Sequence, residues 1–445
     1  MKKVALIAPG KCSLKCQAVQ EPLNLGYLAA YLEKNNIDVI IIDELANQNV
    51  KKEIEKFQPD IVGITATTPV VTDGYRIADM CREMGILTVM GGVHPSVMSE
   101  EALKHSDIVV KGEGEIALLD IVEKDIKSGI IIRPHIKNID EIPPPARHLM
   151  QMEFYLYTKD RYPDSYLYFV PPRTKTGELV TSRGCPYSCT FCHNSWRGIP
   201  CRYNSAERVI SEIKGLINDF GVGAIFFIED NFFVNKPRLR KICKLIEENK
   251  IEIIWGANSR VDNIDSETIK IAKKSGCRQI TFGVESGSQR ILDVLNKRIT
   301  VEQSRKAIKL CKEVGILVNA TFMIGNPTET VEDIKLTQKF IMENDIDCPG
   351  LCITTPYPGT ELWKWCEKRG LIPEKINWED LTCFKVSIPA CDTISPEKIT
   401  ELYEETNNMI IKNKIMKHPF RTIKETIKFP SRIPKGLKRI LKIKK

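Results

Sequence analysis

No apolar run in the 445-residue chain approaches the ~18 residues needed to span a bilayer. Runs such as Val39–Ile42 and Ala224–Ile228 have the length of strands. The opening MKKVALIAPG lacks the roughly 7–15-residue apolar core of a secretory signal, because Val4–Ala8 is too short. A buried first strand suits those residues better, and a cytoplasmic location is the expectation. Without an export signal the 15 cysteines do not read as a disulfide framework: a reducing cytosol keeps thiols free, and an odd count leaves one unpaired. Cys81, Cys243, Cys277 and Cys311 fall in apolar helical patterns and read as small buried hydrophobes. No repeat of fixed short period is visible. With 42% hydrophobic and 27% charged residues, the composition excludes a wholly disordered or collagen-like chain.

Charge is unevenly placed. Residues 411–445 hold thirteen Lys or Arg against the single acid Glu425, a local net of +12 that leaves the rest of the chain at −4 against the overall +8. Phe420, Ile423 and Ile427 recur at helical spacing among Arg421, Lys424 and Lys428, and Leu437, Ile440 and Leu441 repeat the pattern after Pro434. Basic amphipathic helices suit peripheral contact with an anionic membrane surface; a solvated, frayed terminus is the bland alternative. Nucleic acid is not expected, because the body is mildly acidic and shows no RNA-binding module.

Five domains or segments are expected. Residues 1–130 alternate β-branched runs (Lys3–Ala8, Asp38–Ile42, Asp60–Thr65, Leu87–Met90, Asp107–Val110) with helical patterns (Leu23–Lys34, Val50–Phe57, Val71–Met84, Val97–Leu103, Ile116–Lys124). This rhythm predicts an α/β fold with a doubly wound, Rossmann-like parallel sheet, whose ligand sits beyond the carboxyl ends of the strands. Residues 131–175 form a proline-rich connector, packed through the aromatics of Tyr155–Tyr168. Residues 176–365 carry six further βα units, with strands at Glu178–Ser182, Ala224–Ile228, Glu252–Ala257, Gln279–Val284, Leu317–Met323 and Gly350–Thr354. They predict a partial (β/α)6 barrel with its chemistry at the strand C-termini. A helical or irregular extension (366–410) and the basic tail (411–445) follow.

Immediately after the first strand of the second unit, Arg183-Gly184-Cys185-Pro186-Tyr187-Ser188-Cys189-Thr190-Phe191-Cys192-His193 places three cysteines at C-x3-C-x2-C spacing in one tight loop. Thiolates suit soft metals and iron–sulfur clusters, and three ligands on a four-iron cluster leave one iron open. Structural zinc completed by His193 or Cys201 is the rival reading; such sites usually come as paired knuckles, and the chain has no second C-x2-C. Cys12 with Cys16, Cys348 with Cys352, and Cys383 with Cys391 are too loosely paired for an auxiliary cluster.

The loop and its strand–loop–helix setting resemble the radical S-adenosylmethionine (radical SAM) superfamily. The resemblance implies that Cys185, Cys189 and Cys192 hold a [4Fe–4S] cluster. SAM then chelates the open iron and, on one-electron reduction, yields a 5′-deoxyadenosyl radical; the cofactors carry this chemistry and the protein positions them. It further implies SAM contacts from Phe191 in the loop and from later strand ends: Asp230, Asn258, Arg260 near the carboxylate, and Glu285 and Ser286 near the amino or ribose groups. Each is alternatively an N-cap or turn residue.

The first unit, through Glu21–Leu28, Gly63–Pro69, Gly91–Pro95 and Lys111–Glu115, is similar to the cobalamin-binding branch of that superfamily, a likeness spanning roughly residues 1–400. It implies corrin contacts from Thr67, Thr68, Gly91, Gly92, His94, Gly112 and Glu113, glycine allowing close backbone approach. Taken without the barrel, these residues suit a flavin or a nucleotide equally, and His94 is alternatively a satisfied turn residue. Many B12 proteins carry D-x-H-x-x-G here; this chain reads Asp43-Glu44-Leu45-Ala46-Asn47-Gln48, so no imidazole from this loop is expected on cobalt. The function implied is methylation of an unactivated carbon, one SAM supplying methyl through cobalamin and another the radical. A flavodoxin- or ferredoxin-type protein would supply electrons, and the basic tail suggests a membrane-associated lipid or isoprenoid substrate. Cyclisation or carbon–carbon rearrangement without methyl transfer is the alternative within the family, and a non-catalytic metal or corrinoid sensor the alternative outside it.

Overall fold

The computed structural model describes residues 2–10, 19–161, 166–193 and 198–417. Six parallel strands form the first sheet: β1 (Lys3–Ala8), β2 (Asp38–Asp43), β3 (Ile61–Thr65), β4 (Leu87–Gly91), β5 (Ile108–Lys111) and β6 (Gly129–Ile132), in the order β2-β1-β3-β4-β5-β6. Val4–Ile7 are buried on both faces, as a central parallel strand covered by helices requires. The order reverses between β1 and β3, and such a reversal opens a ligand crevice at the strand carboxyl ends. Only five strands are expected from the sequence. The sixth runs across the expected 130/131 boundary; it is an edge strand with Ile132 63% exposed, and no helix follows it to complete a βα rhythm. The expected helix Val97–Leu103 is two helices, Val93–Val97 and Ser99–His105, broken at Met98.

The second sheet is also six-stranded, parallel and open. It comprises β7 (Thr176–Leu179), β10 (Ala224–Phe227), β11 (Ile254–Ser259), β12 (Cys277–Glu285), β13 (Leu317–Ile324) and β14 (Cys348–Ile353), in the order β14-β13-β12-β11-β10-β7, which is the expected partial barrel. Most of its helices begin at side-chain caps, with Thr300 and Thr330 forming capping boxes, so those βα turns are held by their own sequence. The expected strand Glu178–Ser182 is split. The Thr181 amide and hydroxyl both donate to the Glu229 carboxylate, which turns the chain out of the sheet after Leu179. Ser182 and Arg183 instead form β8, paired antiparallel with β9 (Arg202–Tyr203). This short ladder brackets the cysteine loop.

The connector is packed: Tyr155, Leu156, Leu167, Phe169 and Val170 are buried. The segment after the barrel turns back to the first sheet, where Leu362, Cys366, Trp378, Leu381 and Ile388 share one core with Ala5, Ile7, Ile64 and Met90. A final helix, Pro396–Lys417, buries Ile399 and Leu402 against the second sheet and runs through the expected 410/411 boundary. The apolar stripes expected in the tail from Phe420 onward lie outside the described residues, as do Cys12 and Cys16. Among the described residues no helix is long and apolar enough to cross a membrane.

Candidate functional site

The cysteine loop stands at the C-terminal edge of the second sheet and is braced from three directions. The Thr190 amide donates to the Leu295 carbonyl at 3.0 Å, the Leu362 amide to the Thr190 carbonyl at 2.9 Å, and the Asn296 side chain to the Ser188 carbonyl at 2.8 Å. Cys189 is buried, Cys185 half-buried and Cys192 exposed. A hydrogen bond from Cys192, opposed by burial and aided by the nearby Lys297 and Arg260 cations, brings the Cys189 thiol down to about 6, while the same bond raises Cys192. Burial raises Cys185. Three thiols on one loop, one of them readily ionised beside two cations, fit the donor set of an iron–sulfur cluster.

Arg260 is buried with its donors committed. It makes two bonds of 3.0 Å to Asp262 and one of 2.7 Å to the Lys297 carbonyl. Its Nη1 lies 3.8 Å from the Cys189 Sγ, and its guanidinium stacks over Tyr187 at 3.6 Å. These contacts occupy its arms in shaping the loop, which is where the structure places the residue expected near the SAM carboxylate. Ser286 is likewise engaged within the protein. It is fully buried, bonded to the Thr337 hydroxyl at 3.1 Å, and accepts the Ser288 amide, so it fastens the turn after β12.

Glu285 and a residue the sequence did not single out, Lys297, form the buried ion pair beside the loop, 2.7 Å apart. Glu285 sits at φ +67° next to a register shift; bulges of this kind re-aim side chains. A Cβ on Gly283 would lie 2.9 Å from the Lys297 Nζ, so glycine makes room for the pair. Burial alone would depress the Lys297 ammonium, but Glu285 and Cys189 outweigh it and hold it above its ordinary value. The Nζ lies 5.7 Å from the centre of the half-buried Phe191 ring. No motif marks Lys297; the available signal was its place two residues beyond Leu295, which braces the loop. Asn258 donates to the Glu229 carbonyl at 3.3 Å. Asp230 lies at the edge of the cavity described next, where burial raises its carboxyl.

That cavity, about 1350 Å³ with its open mouth, lies where the C-terminal edges of the two sheets meet. Asn24, Tyr27, Thr65 and Gly91 line it from the first unit, and Arg183 and Asp230 from the second. Gly92 and Gly112 also line it, at φ +93° and +91°. A Cβ on Gly91 would meet nothing nearer than 3.9 Å, so the wall there is bare backbone facing open space. A glycine wall at the strand carboxyl ends, beside the reversal of strand order, fits a large flat ring.

Four of the expected corrin contacts have side chains that are buried, bonded within the protein or turned to an adjoining pocket. His94 is fully buried, 3.1 Å from the Thr68 hydroxyl and edge-on to Trp378 at 4.6 Å; both His94 and Thr68 belong to the core behind the sheet. Thr67 is exposed and lines a separate adjoining pocket, with Leu45. Glu113 lines the cavity, but its oxygens are taken by Arg202 at 2.8 and 2.9 Å and Arg183 at 3.0 Å. Burial pushes its carboxyl up, and the two arginines pull it net below its usual value. Glu113 thus ties the first sheet to the strand that launches the cysteine loop. In the loop after β2, Asp43 accepts from the Leu45 amide at 2.9 Å and from the Tyr155 hydroxyl, so the connector holds this turn.

Residues 179–341 match the model of the radical SAM superfamily, and residues 14–122 that of the B12 binding domain. An uncharacterized methyltransferase of Pyrococcus horikoshii is 35% identical over 417 residues, with 86% of each chain covered. The anaerobic magnesium-protoporphyrin IX monomethyl ester cyclase of Rubrivivax gelatinosus is 28% identical, covering 77% of this chain and 66% of the relative. The structure of the cobalamin-dependent radical SAM enzyme OxsB with aqua-cobalamin and SAM bound shares the fold, with a TM-score of 0.71 and 18% identity over 93% of this chain and 67% of that one. Its cofactors are therefore a [4Fe–4S] cluster, SAM and cobalamin, it requires a one-electron reductant, and the chain belongs to the cobalamin-binding radical SAM family of methyltransferase-like enzymes.

Proposed function

We propose that this enzyme methylates an unactivated carbon of a small molecule. The observation that carries the reading is the single cavity shared by the glycine-walled end of the first sheet and the strand ends beside the cysteine loop, which lets a corrin and a SAM site open onto one space. When bound, the cluster and SAM supply a hydrogen-abstracting radical, and cobalamin a transferable methyl group. The chain's own residues hold and orient. Cys185, Cys189 and Cys192 ligate the cluster; Arg260 and Tyr187 fix the loop that presents it. The Lys297 ammonium takes the SAM carboxylate and the Glu285 carboxylate its amino group, with Phe191, Asn258 and Asp230 bordering the nucleoside. Gly91, Gly92 and Gly112 give the corrin its backbone wall. Proximity of this kind turns an encounter of three reactants into an intramolecular one.

The substrate we favour is a lipid or isoprenoid, on the strength of the basic amphipathic pattern beyond residue 411, with peripheral membrane contact through that tail. A flavodoxin- or ferredoxin-type protein is the electron donor. The test is anaerobic turnover of the reconstituted enzyme with methyl-labelled SAM on host lipid extracts. A product heavier by one labelled methyl group is expected. Consumption of a substrate with no label in the product overturns methyl transfer and favours ring closure, the activity named for the Rubrivivax relative.

A further inference from the structure

Two cysteines outside the cluster loop meet at the far edge of the barrel. Cys352 lies on β14, and Cys383 on the segment returning from the first sheet. That segment is laced along the end of β14: the Ile353 amide donates to the Cys383 carbonyl at 2.7 Å, the Thr355 hydroxyl to the Thr382 carbonyl at 3.1 Å, and the Tyr357 hydroxyl to the Leu381 carbonyl at 3.0 Å. The Ile353–Cys383 bond sets Cys383 beside Cys352, close enough that each thiol shifts the ionisation of the other. Cys243, Cys277 and Cys311 are sealed in the core, whereas Cys352 and Cys383 are both partly accessible. Leu351 and Ile353 are buried in the core. Cys352, between them, shares the opposite face of the sheet with its register partner Met323. It is close enough to Glu285 for that carboxylate to raise its thiol.

We propose that Cys352 and Cys383 are a reversible redox dithiol that, when oxidised, staples the returning segment to the last strand of the barrel. Intracellular disulfides of this kind are usually transient, catalytic or redox-sensing. The neighbouring Cys352 thiol lowers the Cys383 thiol, which makes Cys383 the attacking sulfur. Its thiolate breaks the sulfur–sulfur bond of a small disulfide such as oxidised glutathione, forming a mixed disulfide and releasing one glutathione thiolate. Cys352 then gives up its proton and attacks the Cys383 sulfur, releasing the second glutathione as the thiol. Two electrons pass from the pair to the oxidant. The proposal is independent of the methyl-transfer reading, and its readout involves no turnover.

The experiment equilibrates reconstituted holoenzyme anaerobically with glutathione buffers of graded potential, traps thiols by alkylation, and maps peptides without reduction. We expect a cross-linked peptide joining residues 352 and 383, its oxidised-to-reduced ratio changing about a hundredfold over about 60 mV and reversing with dithiothreitol. In Cys352→Ser, a glutathione adduct should accumulate on Cys383. The proposal is overturned if both wild-type thiols remain alkylatable across the series, or if Cys352 pairs with another cysteine instead.

Discussion

Individual side chains at this site divide into those that hold a cofactor and those that hold the holders. The proposed function puts Cys189 in the first group: Cys189→Ala in the anaerobically reconstituted enzyme should abolish reductant-dependent 5′-deoxyadenosine release, and unchanged release would remove the cluster assignment. Lys297 and Glu285 are a buried pair, so removing one member strands the other. We expect Lys297→Met to cost about 3–5 kcal/mol in denaturant unfolding, and Lys297→Met with Glu285→Leu to recover most of that loss. His94 makes a prediction in pH. Burial holds its imidazole down at about 4 in the folded protein, against an ordinary 6.5. Above 6.5 neither state is protonated and the full stability is present. Between 6.5 and 4 the unfolded chain takes up a proton that the folded one refuses, so stability falls with pH, by up to about 3 kcal/mol. Thermal unfolding of the apo-protein should show a weaker acid dependence in His94→Asn; an identical slope would refute the assignment.

At the level of strands and turns, Gly91 at the end of β4 and Gly92 just after it separate fold from function. A Cβ at Gly92 would lie 2.8 Å from the Ala66 carbonyl oxygen, on a backbone at φ +93°, so Gly92→Ala should destabilise by roughly 1–3 kcal/mol. Gly91 has room for a methyl group, but that group would project into the cavity. Gly91→Ala should therefore melt like the wild type yet retain less cobalamin on gel filtration; full retention would move the corrin elsewhere. The βα rhythm was legible because parallel strands covered on both faces read as solid apolar runs with capped helices between them. The edge strand β6 was not, since half of its side chains face solvent and its helix is missing. In the site, the cysteines were legible because their spacing alone carries chemistry. Thr68, His94 and Ser286 were ambiguous in the sequence because polar residues at strand ends serve turns as readily as ligands, and their burial arises only on folding. Lys297 was invisible because its partner Glu285 is twelve residues away and its value arises from folding.

Across the whole molecule, the two units are joined by buried charge as well as by chain. Glu21 and Glu178 each accept the other's backbone amide, and Arg147 binds Glu21 at 2.9 Å and the Glu178 carbonyl at 2.6 Å. Burial and the neighbouring Glu21 hold the Glu178 carboxyl well above its ordinary value. Arg147→Met should loosen this clasp and speed proteolytic nicking between residues 133 and 146, with wild-type nicking rates counting against it. The other tie is the stretch from Leu362 to Ile388, which supplies part of the apolar cover of the first sheet. On the ribosome, that cover emerges long after Ile132 has been added. At ~5–20 residues per second the nascent sheet waits roughly 10–50 s with an apolar face bare, an interval in which a holdase would find it and in which the early-made half is most prone to aggregate.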